Sequence, residues 1–432
     1  MSSLSDPLIS HEALKQRDTR EGQIRIVGAI DIGTNSTHLV IAFVDVGLKT
    51  FTIDLAEKSA TRLGERDPDS GELTELAMNR VIDTLKRFKD LASSYKVEQL
   101  VVSATSAVRE ASNGRDFLNR IQEELGLFVE LVSGAEEARL IYLGVLSGMK
   151  FGEHPHFLID IGGGSTELIL ADSRDARALT STRVGAVRLQ RDFIKDDPMS
   201  FKRQEFLKTF IQGSLEPAVD KVLKRLKPDE TPVMVATSGT AMAIGSLAVD
   251  LENRSQSKIH GLKVSKACLD KLVENLLAMT PSERRKISSI SERRSEIIVP
   301  GVLILQAAME MLKVNEIVLS ERALREGLVV DWMFRKGLLE DRFSLQASIR
   351  QRTVFHQAQR FGVNTLRVER VASNALSIYD NSQGILHDDT GQGRELLWAA
   401  AMLHSCGQHI NLSSYHKHSW YLIRNGELLG YS

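Results

Sequence analysis

Twice in this chain an apolar strand runs into an aspartate, a turn of glycines and hydroxyl residues, and a second apolar strand. Ile24 to Ile30 leads into Asp31-Ile32-Gly33-Thr34-Asn35-Ser36 and then Leu39 to Val44. Phe157 to Ile159 leads into Asp160-Ile161-Gly162-Gly163-Gly164-Ser165-Thr166-Glu167 and then Leu168 to Ala171. Each reads as strand, tight turn, strand. A turn of this kind aims backbone N–H groups and hydroxyls at one spot, which suits a phosphate. One copy alone reads as an ordinary hairpin. Two copies imply two similar half-lobes facing a single polyanion. Gly33, Gly162 and Gly163 are expected to permit close backbone approach or positive φ.

The rest of the pattern fits two α/β lobes followed by a helical region. In the first, Thr50 to Leu55 reads as a third strand. Leu73 to Tyr95 reads as a helix with Leu76, Val81, Leu85, Phe88 and Leu91 on one stripe. The strand Leu100 to Ala104, a helix from Gly114 to Leu125, the strand Phe128 to Val132 and a helix from Ala135 to Leu146 follow. In the second lobe the helix Lys202 to Leu226 precedes the buried strand Pro232 to Ala236. A helix from Pro300 to Leu312, the strand Glu316 to Ser320 and a helix from Arg322 to Arg335 close it. Alternating strands and helices indicate mixed sheets. Beyond Gly337 the strand signal stops, and helices such as Leu366 to Tyr379 and Glu395 to Leu403 take over. The expected division is lobe I over 24–140, lobe II over 141–336 and a helical domain over 337–432. Met1 to Gly22 is polar, has no apolar middle of a signal peptide, and reads as part of a disordered extension, 1–23, on a cytoplasmic protein.

Composition narrows the function classes. The 432 residues carry 55 basic and 56 acidic side chains, which argues against general adhesion to nucleic acid or membrane while leaving room for a local basic channel. No apolar run approaches the roughly 18 residues of a membrane span. The two cysteines, Cys268 and Cys406, have no metal spacing and imply no disulfide framework.

Several residues can carry phosphate chemistry. Asp31 and Asp160 stand at strand ends, where a carboxylate can hold Mg²⁺, and Glu167 across the second turn is a further oxygen ligand or else a solvated strand carboxylate. Asn35 and Ser36 can donate to phosphate oxygens. In Ser133-Gly134-Ala135-Glu136-Glu137-Ala138-Arg139, both glutamates fall in the first turn of a helix, where acids are common because they suit the helix dipole. That reading is favoured for either one taken alone. What favours function is the helix's place between the lobes, because phosphoryl transfer to water needs a carboxylate that orients or deprotonates the nucleophile. Thr237-Ser238-Gly239-Thr240 is a third anion site at a helix N-terminus or a plain cap. Arg109, past a strand end, is a phosphate contact or a surface ion pair.

These residues resemble a known family. Asp31 to Ser36, Thr105 to Glu110 (TSAVRE), SGAEEAR at 133–139, DIGGGSTE at 160–167, Ser238 to Thr240 and Leu324 to Gly327 (LREG) are similar, in order, to the exopolyphosphatase / guanosine pentaphosphate phosphohydrolase (Ppx/GppA) family. The resemblance implies two actin-like lobes of the ribonuclease H-like, sugar-kinase and heat-shock ATPase superfamily, followed by an all-α HD-like domain. It implies hydrolysis of the terminal phosphate of inorganic polyphosphate, or of the 5′ γ-phosphate of guanosine pentaphosphate. By alignment the base is Glu137 rather than Glu136. Asp160 and Glu167 match the Mg²⁺ ligands, with Asp31 as a third candidate carboxylate and a monovalent cation as a further candidate cofactor. Gly33, Thr34, Asn35 and Ser36, then Gly162, Gly163, Gly164 and Ser165, then Ser238, Gly239 and Thr240 match the phosphate loops, and Arg109 an arginine beside them. In the helical region Ser405 follows His404 where a working HD site reads His-Asp. His404, His409, His416 and His418 have no zinc spacing, so no metal catalysis is expected there. The region is expected to extend a polyphosphate groove and to support a homodimer. Longer members continue past the position of Ser432, so the helical part here is expected to be either truncated or a short variant.

Rival readings are a non-catalytic polyphosphate or alarmone sensor, a sugar-type kinase and a chaperone-like ATPase. Glu137, Asp160 and Glu167 together argue against the sensor. No sugar site and no substrate-binding β-domain support the other two.

Overall fold

The computed structural model describes residues 24–46, 50–149, 151, 154–254, 259–339, 354, 357–358, 360–387, 392–425 and 428. The expected N-terminal extension lies outside them. The chain forms two compact units: one holds residues up to Val132 together with Leu140–Leu339, the other Ser133–Arg139 together with Glu340–Ser432.

The first unit contains two sheets. Strands β1 (Ile24–Ile32), β2 (Thr37–Asp45), β3 (Thr50–Ser59), β4 (Gln99–Ala104) and β5 (Val129–Leu131) lie in the order β3-β2-β1-β4-β5. The three leading strands form an antiparallel meander, and β4 and β5 continue the sheet in parallel. Strands β6 (His156–Ile161), β7 (Thr166–Ala171), β8 (Ala176–Thr182), β9 (Val233–Thr237), β10 (Lys263–Ser265) and β11 (Glu316–Ser320) form the second, in the order β10-β11-β9-β6-β7-β8. With β6, β7, β8, β9 and β11 as counterparts of β1 to β5, the strand order repeats. This is a pair of actin-like lobes. The addition is β10, antiparallel on the far edge. Sequence reading passed over β8 and β10, one with little apolar alternation and the other only three residues long.

Side chains alternate across a strand, and that alternation builds each core and exposes each site. Ile30, Ile32, Leu39 and Ile41 enter the first core with Val81, Ile82, Leu85 and Phe88 of the helix Glu75–Ser94. Phe157, Ile159, Ile161, Leu168 and Leu170 enter the second with the helices Phe201–Leu223 and Ile298–Met311. Asp31, His38, Asp160 and Glu167 therefore fall on the opposite sheet faces. One expected core residue does not belong there: Leu76 is 67% exposed. It lies five positions before Val81, about 140° around the helix, so Ala77 and Met78 complete the buried face instead.

Two glycines set how closely the helices Gly134–Leu146 and Leu324–Arg335 cross. A Cβ on Gly144 would lie 1.8 Å from the Ala323 carbonyl oxygen, and one on Gly327 would lie 1.9 Å from that of Leu140. The helix bearing Gly327 packs on β1 and β2, and its Glu326 carboxylate accepts the Ala323 N–H at 2.8 Å.

In the second unit the helices Thr365–Ser382, Gln392–Leu403 and Tyr415–Asn425 are described, with a 3₁₀ turn at Cys406–His409. Val368, Ala372, Met402, Leu403 and Cys406 share a small core. Buried Ser419 ties it together, accepting the Gly407 N–H at 2.8 Å and donating to the His404 carbonyl at 2.9 Å.

Candidate functional site

The two glycine turns have the same geometry. Gly33 N–H donates to the Ser36 carbonyl at 3.1 Å, and Gly162 N–H to the Ser165 carbonyl at 3.0 Å. None of Gly33, Gly162, Gly163 or Gly164 has positive φ. Close approach is the reason for glycine here. A Cβ on Gly163 would sit 3.0 Å from Thr34 Cβ, and one on Gly164 would sit 2.5 Å from Ser106 Oγ and 2.9 Å from Thr34 Oγ1. The second turn thus rests directly on the first, and Thr34 Oγ1 and Ser106 Oγ hydrogen-bond at 3.0 Å beneath it. The carbonyls of the second turn are drawn aside: Gly162 O accepts Ala186 N–H at 2.9 Å, and Gly163 O accepts Val187 and Arg188 N–H at 3.0 Å. Among the described residues, no backbone hydrogen bond is donated by Thr34, Asn35, Gly163 or Gly164 outside the strands and helices, so these amides are placed to receive an anion. Ser36 Oγ instead contacts His38 Nε2 at 2.7 Å, and Ser165 is buried.

Register then gives the two lobes different polar rows. Asp160 pairs with Glu167 across β6 and β7, and Glu167 with Ser181 across β7 and β8. The corresponding row of the first sheet is Asp31, His38 and Lys58. Residues directly opposite in an antiparallel pair have Cβ atoms about 4.5–5.5 Å apart. Two carboxylates at that spacing, both buried, repel unless a cation or proton lies between them. Ser181 Oγ donates to Glu167 Oε1 at 2.7 Å, and the Arg294 guanidinium acts electrostatically on Asp160. Asp160 and Glu167 fit a divalent ion that takes its other oxygens from substrate and water, the usual habit of Mg²⁺. Asp31, the counterpart of Asp160, lies opposite His38 in the first sheet, and among the described residues no group of three or more His, Cys, Asp or Glu is arranged to hold a metal ion.

The first-sheet row is mixed, with one carboxylate, one imidazole and one lysine. Burial first, and then Arg325, Lys58 and Arg294, hold the His38 imidazole well below its ordinary value. Lys58 is lowered to about 8 by burial, with Arg294, Arg325 and Arg293 adding to the effect. Sequence reading missed Arg294 and Lys58. In sequence Arg293-Arg294 is an unpatterned charge pair that looks solvated; only the fold turns Arg294 inward, where its Nη1 meets Thr240 Oγ1 at 3.3 Å. Gly239 is glycine because a Cβ there would lie 2.0 Å from Arg294 Nη2.

The loop at 237–240 braces the second turn. Ser238 Oγ and Thr240 Oγ1 donate to the Ile161 carbonyl at 3.1 and 3.3 Å, while Thr237 Oγ1 donates to Ser320 O at 2.9 Å. These hydroxyls are used internally, and what the loop can offer an anion is the N-terminus of the helix Ser238–Leu251. Arg109 ends a short helix, its Nη1 donating to the Val132 carbonyl at 2.8 Å.

Arg139 grips Glu136 through Nε to both carboxylate oxygens, at 3.0 and 2.9 Å, and through Nη2 at 2.6 Å. Glu136 and Arg139 are buried together, a pairing with a structural purpose. Glu137, also buried, donates its own N–H to Ser133 O at 2.8 Å. In the helical unit His404 Nδ1 lies 2.7 Å from the Ala401 carbonyl.

The sequence model described as the Ppx/GppA phosphatase family matches residues 30–336, and that of Ppx/GppA phosphatase domain III matches residues 349–432. The chain belongs to the Ppx/GppA phosphatase family. Its members by name include Exopolyphosphatase 1 of Mycobacterium leprae, 31% identical over 70% of this chain and 88% of that protein. The guanosine-5′-triphosphate,3′-diphosphate pyrophosphatase of Vibrio vulnificus is 29% identical over 96% of this chain and 79% of that protein. A solved exopolyphosphatase from Cytophaga hutchinsonii is 28% identical, with a TM-score of 0.66 over 72% of this chain and 98% of that one. The Aquifex aeolicus family member gives a TM-score of 0.62 at 28% identity, over 72% of this chain and 99% of that one. Family membership makes this chain a hydrolase of phosphoanhydride bonds. Among the described residues no helix is long and apolar enough to cross a membrane.

Proposed function

We propose that this chain is an exopolyphosphatase, releasing the terminal phosphate of inorganic polyphosphate to water. One observation carries the reading: the glycine turns of two lobes rest on each other, so their amides converge on a single phosphate position. Amides cost no reorganisation when charge develops on the transferring group. Lys58 and Arg294 offset further phosphate charge, and Arg109 is a candidate contact. Asp160 and Glu167 would hold the divalent ion, which when bound neutralises charge on the phosphate oxygens. Glu137 is assigned as the base that orients and deprotonates water, on the resemblance of SGAEEAR to the family motif. A second reading, removal of the 5′ γ-phosphate of guanosine pentaphosphate, draws support from the Vibrio relative's match across nearly the whole chain. Phosphate release from long polyphosphate, tripolyphosphate and guanosine pentaphosphate, measured side by side with Mg²⁺, separates the two. No release from any of them overturns both.

Glu167→Gln is expected to raise the Mg²⁺ concentration for half-maximal release by more than the about 10–100-fold that loss of an outer-shell partner costs. A Mg²⁺ titration that matches the wild type removes Glu167 from the ligand set.

Lys58 adds a pH signature. Only its protonated form attracts an anion, so affinity is expected to fall as pH rises through about 8, by up to about tenfold per pH unit when one proton is coupled. Polyphosphate binding measured from pH 7 to 9.5 should show this slope in the wild type. Lys58→Arg, which stays charged, should flatten it.

A further inference from the structure

On one side of the joined turns a cleft of about 680 Å³ opens, within the usual range for ligand sites, about 300–1,000 Å³. Its lining includes Thr34, Ser106 and Gly164 of the joined turns together with Arg66, Arg188, Arg191 and Lys195. The acidic groups of the lining are already engaged. Asp67 accepts the N–H groups of Asp69 and Ser70 at 3.0 and 2.8 Å. Glu110 pairs with Arg188, and Asp192 with its neighbour Arg191. Two of the cations are anchored differently. Arg66 donates to the carbonyls of Ala107 at 2.5 Å and Gly71 at 3.3 Å. Lys195 Nζ donates to the Arg191 carbonyl at 3.0 Å. Among the described residues neither has a carboxylate at ion-pair distance, so their charges reach into the cleft unbalanced. The guanidinium of Arg66 is accordingly held below its ordinary value by burial, with Arg191 and Arg188 opposing its charge as well and only Glu110 favouring it.

We propose that this cleft is a second anion site, in which Arg66 and Lys195 hold phosphates of a linear polyphosphate beyond the one clamped by the turns. The inference rests on the polyphosphatase reading and gives it a chain-length determinant. A linear chain is the ligand that fits: one lining holds both residues of the turns that clamp a phosphate and these cations. No base or sugar contact is needed, because the lining offers charge.

The test uses the full chain and measures binding apart from turnover. Dissociation constants for tripolyphosphate and for polyphosphate of about 60 units are determined at fixed salt for the wild type, for Arg66→Ala/Lys195→Ala and for Arg191→Ala/Lys195→Ala. The second pair alters only exposed side chains, so it keeps the test valid if loss of Arg66 weakens folding. A charge-assisted contact contributes about 1.5–3 kcal/mol, so each double variant is expected to bind the long chain at least about tenfold more weakly and tripolyphosphate within about twofold of wild type. Unchanged long-chain binding overturns the proposal. So does an equal loss for both ligands, which would mean a general field and no chain-length subsite. Length-dependent binding that is lost in the variants, without phosphate release by the wild type, supports this site and overturns the hydrolytic reading instead.

Discussion

Glu137→Gln is expected to slow phosphate release by about 10²–10⁴-fold, the usual contribution of a general base, with no change in the unfolding transition. Gln keeps the size and polarity of the side chain and removes the basic oxygen. Glu136→Ala is the matching control, with the opposite expectation. It strips the Glu136 carboxylate from Arg139, whose side chain is 1% exposed, and breaking a buried ion pair costs about 3–5 kcal/mol. Urea unfolding and initial rates for both variants settle the assignment. If Glu137→Gln turns over like wild type, or if Glu136→Ala loses rate and no stability, the two roles have been assigned the wrong way round.

The second large effect is expected at the helix crossing. Alanine is a better helix former than glycine by about 1 kcal/mol, so propensity alone predicts that Gly327→Ala stabilises the protein. The contact predicts the reverse, because the new Cβ would meet the Leu140 carbonyl oxygen at 1.9 Å. Backbone cannot rotate away as a side chain can, and overpacking of this kind costs about 1–3 kcal/mol or more. Gly327→Ala is therefore expected to lower the urea midpoint clearly, and Gly144→Ala to do the same against Ala323. Because the two positions share one crossing, the double variant should lose less than the sum. A midpoint at or above wild type for either single variant would show that the helices can separate without cost.

Much of the site was legible in the residue string. The two turns, their strands and the actin-like repeat follow from apolar runs broken by glycine and hydroxyl residues, a strictly local pattern. The resemblance in SGAEEAR and DIGGGSTE supplied Glu137, Asp160 and Glu167. Other features depend on long-range register. That Asp160 lies opposite Glu167, while Asp31 lies opposite His38 and His38 opposite Lys58, gives one lobe a pair of carboxylates and the other a mixed row. Leu76 shows the limit on the local side: an apolar residue near a stripe looks like core until the helix phase is fixed.

The sequence by itself determined that two alike turns exist, and that each carries an aspartate and hydroxyls, because hydrophobic period and turn chemistry are local. Only the tertiary structure decided what the glycines are for. None of the turn glycines needs a left-handed backbone; Gly163 and Gly164 are small because Thr34 and Ser106 of the other lobe press against them. In the same way Arg294, ordinary in sequence, becomes a half-buried charge acting on Asp160. Contacts between residues far apart in the chain cannot be read from local pattern, and they bring the two turns together.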